Sequence, residues 1–224
     1  MNEKIIYQHL GLGDHFVCNG LVNILSKRYD KIYLPCKESY YETVNYMFSI
    51  NPKVHVVKIL KDNKEEDEVY GLSERLDIPV LKIGHEHHTN VNWDRSFYNQ
   101  YNVPFEERYN SFGLPLCSNI YKVPLPDEDF VIVHNEASIG NFDINIKTNL
   151  KIIYINKDLC DNMFSLIDLF YVAKEIHCID SSVFHFVDSI KLFNTKLFYH
   201  NVRKNNQNYF QPDSKWNIIN YEDS

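Results

Sequence analysis

The stretch "HLGLGDHFVCNGLV", residues 9–22, decides how the chain is read. It follows the short apolar run "KIIYQHL" (residues 4–10) and leads into Val17, Leu21, Ile24 and Leu25, spaced i, i+4, i+7 and i+8. That spacing puts four apolar side chains on one helical face, so the stretch reads as strand, glycine turn and helix. Gly11 and Gly13 stand where the chain must turn sharply or let a ligand approach its backbone. Asp14 falls at or beside the helix N-terminus. There it serves either as an N-cap or as a general base that takes the proton of an attacking hydroxyl, with His15 as the alternative base on the same turn. A third glycine at position 16 would complete a dinucleotide fingerprint, but Phe16 stands there, and no P-loop lysine follows.

Outward from the turn, the rhythm repeats. "KIYLPC" (31–36), "KVHVVKI" (53–59) and "IPVLKIG" (78–84) read as strands. Ser39 with Glu42 has the spacing of a capping box ahead of the helix "YYETVNYMFSI" (40–50). The charged run "KDNKEEDE" (61–68) reads as a solvated loop or helix start. Strands alternating with helices imply right-handed βα crossovers and a parallel sheet covered by helices. Two short aromatic helices around Pro104 break the rhythm, and "YKVPLPDED" (121–129) reads as a linker.

Beyond it the alternation restarts: "FVIVHN", "LKIIYIN", "IHCI" and "TKLFYH" as strands, "MFSLIDLFYVAKE" and "SSVFHFVDSI" as helices, with "TKLFYH" the last clear strand. The expectation is an α/β protein of two Rossmann-like lobes, residues 1–124 and 125–224, with a ligand cleft facing the carboxyl ends of the strands.

The 224 residues suffice for two small lobes, and 14% aromatic residues supply cores for both. A net charge of −7 speaks against a general nucleic-acid binder, which needs a surplus of Lys and Arg. The N-terminus lacks the basic flank and apolar stretch of a signal peptide, and no segment approaches the roughly 20 apolar residues of a membrane span, so a cytoplasmic protein is expected. Five scattered cysteines without a CxxC pair read as free thiols. "GHEHHTN" offers His85, His87 and His88, but neighbouring histidines converge poorly on one ion, and a polar loop is the simpler reading. No metal or cofactor is expected.

A second constellation, "IHCIDSSVFHFVDSI" (176–190), repeats the first: a strand, then Asp180, Ser181 and Ser182 opening a helix, with His185 one turn in. Such a helix start suits a phosphate. The Gly-Asp after the first strand and the Asp-Ser-x-x-x-His after a late one resemble the heptosyltransferase-like glycosyltransferases of GT-B fold. The resemblance implies transfer of a sugar from a nucleotide-sugar donor to a glycan hydroxyl, with inversion and without a metal. It implies Asp14 as base, and Asp180, Ser181 and His185 at the donor site. Ser182 stands where that family usually has glycine, and Lys147 is the candidate for its lysine between the motifs.

His200, Arg203 and Lys204 follow the last strand, where Arg and Lys suit donor phosphates. Ser138 follows the first strand of the second lobe, with Gly140, and is placed at phosphate or nucleoside. Trp93, Tyr98, Tyr101 and Arg108 are candidates for an acceptor-side aromatic surface. Two other functions fit the same residues: an epimerase or hydrolase acting on nucleotide sugars, and a non-catalytic sugar-nucleotide or glycan-binding module.

Overall fold

A computed structural model describes residues 2–85, 92–116, 120–156, 159–203 and 212–221. The chain divides into two compact units, Met1–Leu116 and Cys117–Ser224. Each is a Rossmann-like α/β unit. The segment read as a linker carries no regular element over residues 120–129, and its Val123 N–H donates to Ser165 O of the second unit.

The first unit runs β1 (Glu3–Tyr7), α1 (Leu12–Leu25), β2 (Lys31–Lys37), α2 (Tyr41–Phe48), β3 (Val54–Ile59), α3 (Glu65–Leu76), β4 (Val80–Lys82), α4 (Trp93–Asn99) and α5 (Glu107–Asn110). The strands form one parallel sheet in the order β3-β2-β1-β4. Strand order therefore reverses between β1 and β4, which are neighbours in the sheet although three βα connections separate them in sequence. The alternation of the sequence produces this: β1 buries Ile5, Ile6 and Tyr7, while α1 buries Phe16, Val17, Leu21 and Leu25. The expected capping box does not form. Glu38–Tyr40 make a 3-10 turn, and α2 begins at Tyr41 without a side-chain cap.

Helices α4 and α5 pack on α1, and here two expectations are corrected. Tyr98 is fully buried, its hydroxyl accepting from Leu21 N–H and donating to Val17 O. Arg108 is also fully buried and donates to the Asp94 carboxylate at 2.7 Å. Both are core residues of this helix packing and present no surface to an acceptor. The amphipathic periodicity did not reveal this, because the two polar side chains have their partners inside.

The second unit runs β5 (Phe130–His134), the hairpin β6 (Glu136–Ala137) and β7 (Gly140–Asn141), β8 (Lys151–Tyr154), a 3-10 turn at Met163–Leu166 leading into α6 (Ile167–Val172), β9 (Glu175–Cys178), α7 (Ser182–Ser189), β10 (Lys196–Asn201) and β11 (Trp216–Asn220). The last strand was not expected. "WNIIN" reads weakly, because four of its five residues are exposed or half-exposed at the sheet edge. The parallel sheet has the order β11-β10-β9-β5-β8, which reverses between β5 and β9.

The crossover from β5 to β8 holds no helix. Beyond its hairpin, residues 142–150 hold no regular element and alternate in burial, Phe142, Ile144, Ile146, Thr148 and Leu150 half-buried and the residues between them exposed. Lys147 is one of the exposed residues of this segment. Helices α6 and α7 pack together through Phe170 against Phe186. A hydrogen bond and an ion pair also anchor α7: Trp216 Nε1 donates to the buried Asp188 carboxylate, and the Lys215 ammonium pairs with it.

Candidate functional site

In open α/β sheets, ligands bind outside the carboxyl ends of the strands where strand order reverses. The two reversals each gather candidate residues.

In the first unit the carboxyl ends of β1 and β4 lie side by side, joined by Ile83 N–H donating to Tyr7 O. The chain leaves β1 through a tight three-residue turn: Gly11 N–H donates to His9 O at 2.8 Å, and Leu10 between them has φ +53°. A γ-turn with positive φ is a strained arrangement for a branched residue, and such strain collects at functional sites. Leu10 tolerates it because its side chain is buried in the core.

The glycines therefore play roles different from those expected. The left-handed position is Leu10, whereas Gly11 has an ordinary extended conformation, φ −70° and ψ 147°, as the N-cap of α1. Gly11 is glycine for want of space: a Cβ there would stand 2.5 Å from Asp14 Oδ2. Gly13 lies inside the first turn of the helix. Asp14 is the third helical residue and not the N-cap, and its half-buried carboxylate folds back over Gly11, close to the positive end of the helix dipole.

His15 is corrected as a candidate base. It is fully buried, its Nδ1 is 2.5 Å from Gln8 Nε2, and burial drives its pKa down to about 3. With Nδ1 facing an amide N–H donor, the ring is a neutral core group. The unfolded chain takes up this proton near pH 6.5 and the native one only near pH 3, so His15 contributes stability above pH 6.5 that is lost as pH falls toward 3. One such group gives a slope of up to about 1.4 kcal/mol per pH unit in that window. Urea unfolding of the wild type from pH 7 to 4 should show the decline, and His15→Leu should make it less steep, leaving the share of the other buried histidines such as His200.

Around the same strand ends stand aromatic rings. His9 stacks on His85 at 4.4 Å between centroids and 19° between planes; His85 lies 4.6 Å from Tyr7, and Phe97 5.7 Å from His9. Trp93 meets Phe97 edge-on and is half-buried. Tyr101 donates its hydroxyl to Lys82 O and so secures the end of β4, which leaves Trp93 as the member of the expected aromatic group that stands with these rings. His87 and His88 lie outside the described residues, as does Lys204; among the described residues no three metal-binding side chains gather. Sequence reasoning missed His9, since only the sheet order shows that residues 9 and 85 adjoin.

In the second unit the reversal lies between β5 and β9, and Ile179 N–H donates to His134 O beside it. Directly after β9, the Asp180 carboxylate has His185 Nε2 at 3.5 Å from Oδ1 and Arg203 Nη1 at 3.4 Å from Oδ2, and Arg203 Nη1 also donates to its backbone O at 2.9 Å. Ser181 caps α7, accepting from Phe184 N–H, and Ser182 is the first helical residue. A helix start exposes amide donors that an anion can complete. Arg203 adds one more: its Nε is buried with no partner among the described residues. Ser138 is exposed at the tip of the β6–β7 hairpin, which leaves β5 at the same end of the sheet.

His200 is corrected as well. Fully buried, its Nε2 lies 2.8 Å from His177 Nδ1 and its Nδ1 2.6 Å from Tyr221 OH. Burial first, and the neighbouring His177 second, pull its pKa down to about 4. It belongs to an internal chain of side chains rather than to the Asp180 cluster. Four cysteines, Cys18, Cys36, Cys160 and Cys178, are free thiols, as their scatter in the sequence led us to expect, and Cys117 lies outside the described residues. No helix among the described residues is long and apolar enough to cross a membrane.

No family model matches the chain, and no curated protein matches it in sequence. Its fold is similar to that of the crystal structure of a glycosyl transferase family 9 protein from Veillonella parvula DSM 2008. The TM-score is 0.50 and the sequence identity 10%, over 98% of this chain and 86% of the other.

Proposed function

We propose that the chain is a glycosyltransferase that moves a sugar from a nucleotide-sugar donor to a hydroxyl of a glycan acceptor, with inversion and without a metal. One observation carries this reading: each unit places a carboxylate-bearing helix start at its own strand-order reversal, one with an approachable carboxylate at Asp14, the other with anion-binding groups around Arg203. The fold likeness to a glycosyl transferase supports the same direction.

In this reading the donor diphosphate takes the amide donors opening α7 and the guanidinium of Arg203. Asp180 orients that guanidinium and His185, and Ser138 reaches the donor from the hairpin tip. The acceptor hydroxyl lies on Asp14. As its oxygen forms a bond to the anomeric carbon, its proton passes to the Asp14 carboxylate. The bond from anomeric carbon to phosphate oxygen breaks, and the electron pair leaves with the nucleoside diphosphate. The developing charge on the leaving group is met by Arg203 and the helix start, groups fixed in place before reaction.

The test is thermal stabilisation by a panel of nucleoside diphosphates, since a ligand of the native state raises apparent stability by mass action. One base should give a saturable shift, and Arg203→Ala should weaken that binding about tenfold or more, the size of a charge-assisted hydrogen bond. A panel with no shift would count against a donor site here.

A further inference from the structure

The carboxyl ends of β1 and β4 carry a wall of rings that the proposed function does not use. His9 is exposed and lies nearly parallel on half-buried His85, which rests in turn on buried Tyr7. Phe97 adjoins the wall, its ring centroid 5.7 Å from that of His9. Gly84, at φ +82°, admits it: a Cβ at that position would stand 2.2 Å from the Phe97 ring. Gln100 fixes this corner, accepting from Gly84 N–H and donating to Lys82 O. On the other side, the strained turn at Leu10 sets the direction in which His9 leaves β1. Backbone strain on one flank and a required glycine on the other hold two imidazoles face to face, and His9 precedes Asp14 by five residues in the chain.

We infer that this wall is an acceptor subsite that takes a pyranose ring face-on, with His9 and Trp93 as its contact surfaces, so that the acceptor is a saccharide whose reactive hydroxyl reaches Asp14. The inference rests on the transferase reading for the role of Asp14, while the wall itself is a matter of binding. The C–H face of a pyranose is flat and weakly positive, and the face of an aromatic ring is flat and negative. A wall of this kind serves best when its rings are neutral. Burial, and then His9, hold His85 below the ordinary imidazole range. The other charged groups near His85 are Lys82, which disfavours its protonation, and Glu66, which favours it, and these two pair with each other at 2.7 Å. His9 is a contact residue in this account. What it offers is a flat ring, not a proton.

The experiment follows the imidazole proton resonances of the full chain during titration with methyl α-D-mannopyranoside, methyl α-D-glucopyranoside and methyl α-D-galactopyranoside, with sorbitol as an acyclic control carrying similar hydroxyls. The expected result is a saturable shift of the His9 and His85 resonances with at least one pyranoside and none with sorbitol. The shift of His85 should vanish in His9→Ala and return in His9→Phe, which restores a flat ring without a titratable nitrogen. His9 is exposed, so these variants keep the core intact. No shift with any pyranoside, an equal shift with sorbitol, or an unchanged His85 shift in His9→Ala would overturn the inference. None of these readouts needs a donor or turnover, so the subsite can fail while the transferase reading stands, and the reverse.

Discussion

Replacing the Asp14 carboxylate by its amide, Asp14→Asn, is expected to lower turnover about a thousandfold while nucleoside diphosphate binding stays within about twofold of the wild type, the range that general bases contribute being about 10² to 10⁴. The separation follows from where the groups sit. Asp14 belongs to the first unit and lies over Gly11, whereas the groups to which we assign the diphosphate, Arg203 and the start of α7, belong to the second. The amide keeps the shape of the side chain and its place at the helix start, and loses the negative charge together with the capacity to take a proton, at a cost at the helix start of about 0.3 to 1 kcal/mol. The variant should therefore fold normally. Initial rates at saturating donor and acceptor, set beside a nucleotide titration of the same preparation, check both halves. A variant that turned over at the wild-type rate would remove Asp14 from the mechanism and leave it as an acidic residue favoured by the helix dipole.

Arg108→Ala is expected to cost about 3 to 5 kcal/mol of stability, because it strands the Asp94 carboxylate without its partner in the core. Arg108 is completely buried and its partner 4% exposed, with 2.7 Å between them, and the guanidinium also lies against the rings of Phe105 and Tyr109. Asp94 keeps one other bond, from Arg95 N–H, which leaves the oxygen that faced Arg108 exposed to the apolar packing of α4, α5 and α1. Removing both charges is expected to cost less than removing one: Asp94→Leu with Arg108→Leu should recover a good part of the loss, since burying two apolar groups avoids the unpaired charge. Urea unfolding of the three variants decides the matter. A single variant as stable as the wild type, but with a raised acceptor KM, would return Arg108 to the surface role that its type first suggests.

These two residues mark how far the sequence could be read. The parallel order of strands and helices was legible, because β1 with α1 and β9 with α7 follow the apolar periods of strand and helix closely. The two helix starts were legible for the same reason, since each stands where one period gives way to the other. What periodicity cannot carry is which polar residues face inward to a partner. Arg108 with Asp94, Tyr98 with the α1 backbone, His15 with Gln8 and His200 with His177 are long-range or buried pairs, and each side chain has the look of a surface residue until its partner is placed. The same limit hid the pairing of His9 with His85, which are brought together only because β1 and β4 are neighbours in the sheet. Gly11 shows the reverse error: a glycine taken for backbone freedom keeps an ordinary conformation and makes room for Asp14, while the strained position is the leucine before it.

The measurement that bears most directly on the central claim is a transfer assay read by mass. The purified chain is incubated with each of a panel of nucleotide sugars and a mixture of methyl pyranosides and short oligosaccharides, and both the acceptor mass and the released nucleoside diphosphate are followed. The account predicts that one donor adds a single sugar residue to an acceptor, releases one equivalent of nucleoside diphosphate per transfer, and does neither at a comparable rate when the acceptor is left out. Nucleoside diphosphate released equally without acceptor would make the chain a hydrolase, and saturable nucleotide binding with no release under any combination would make it a binding module; either result would contradict the account.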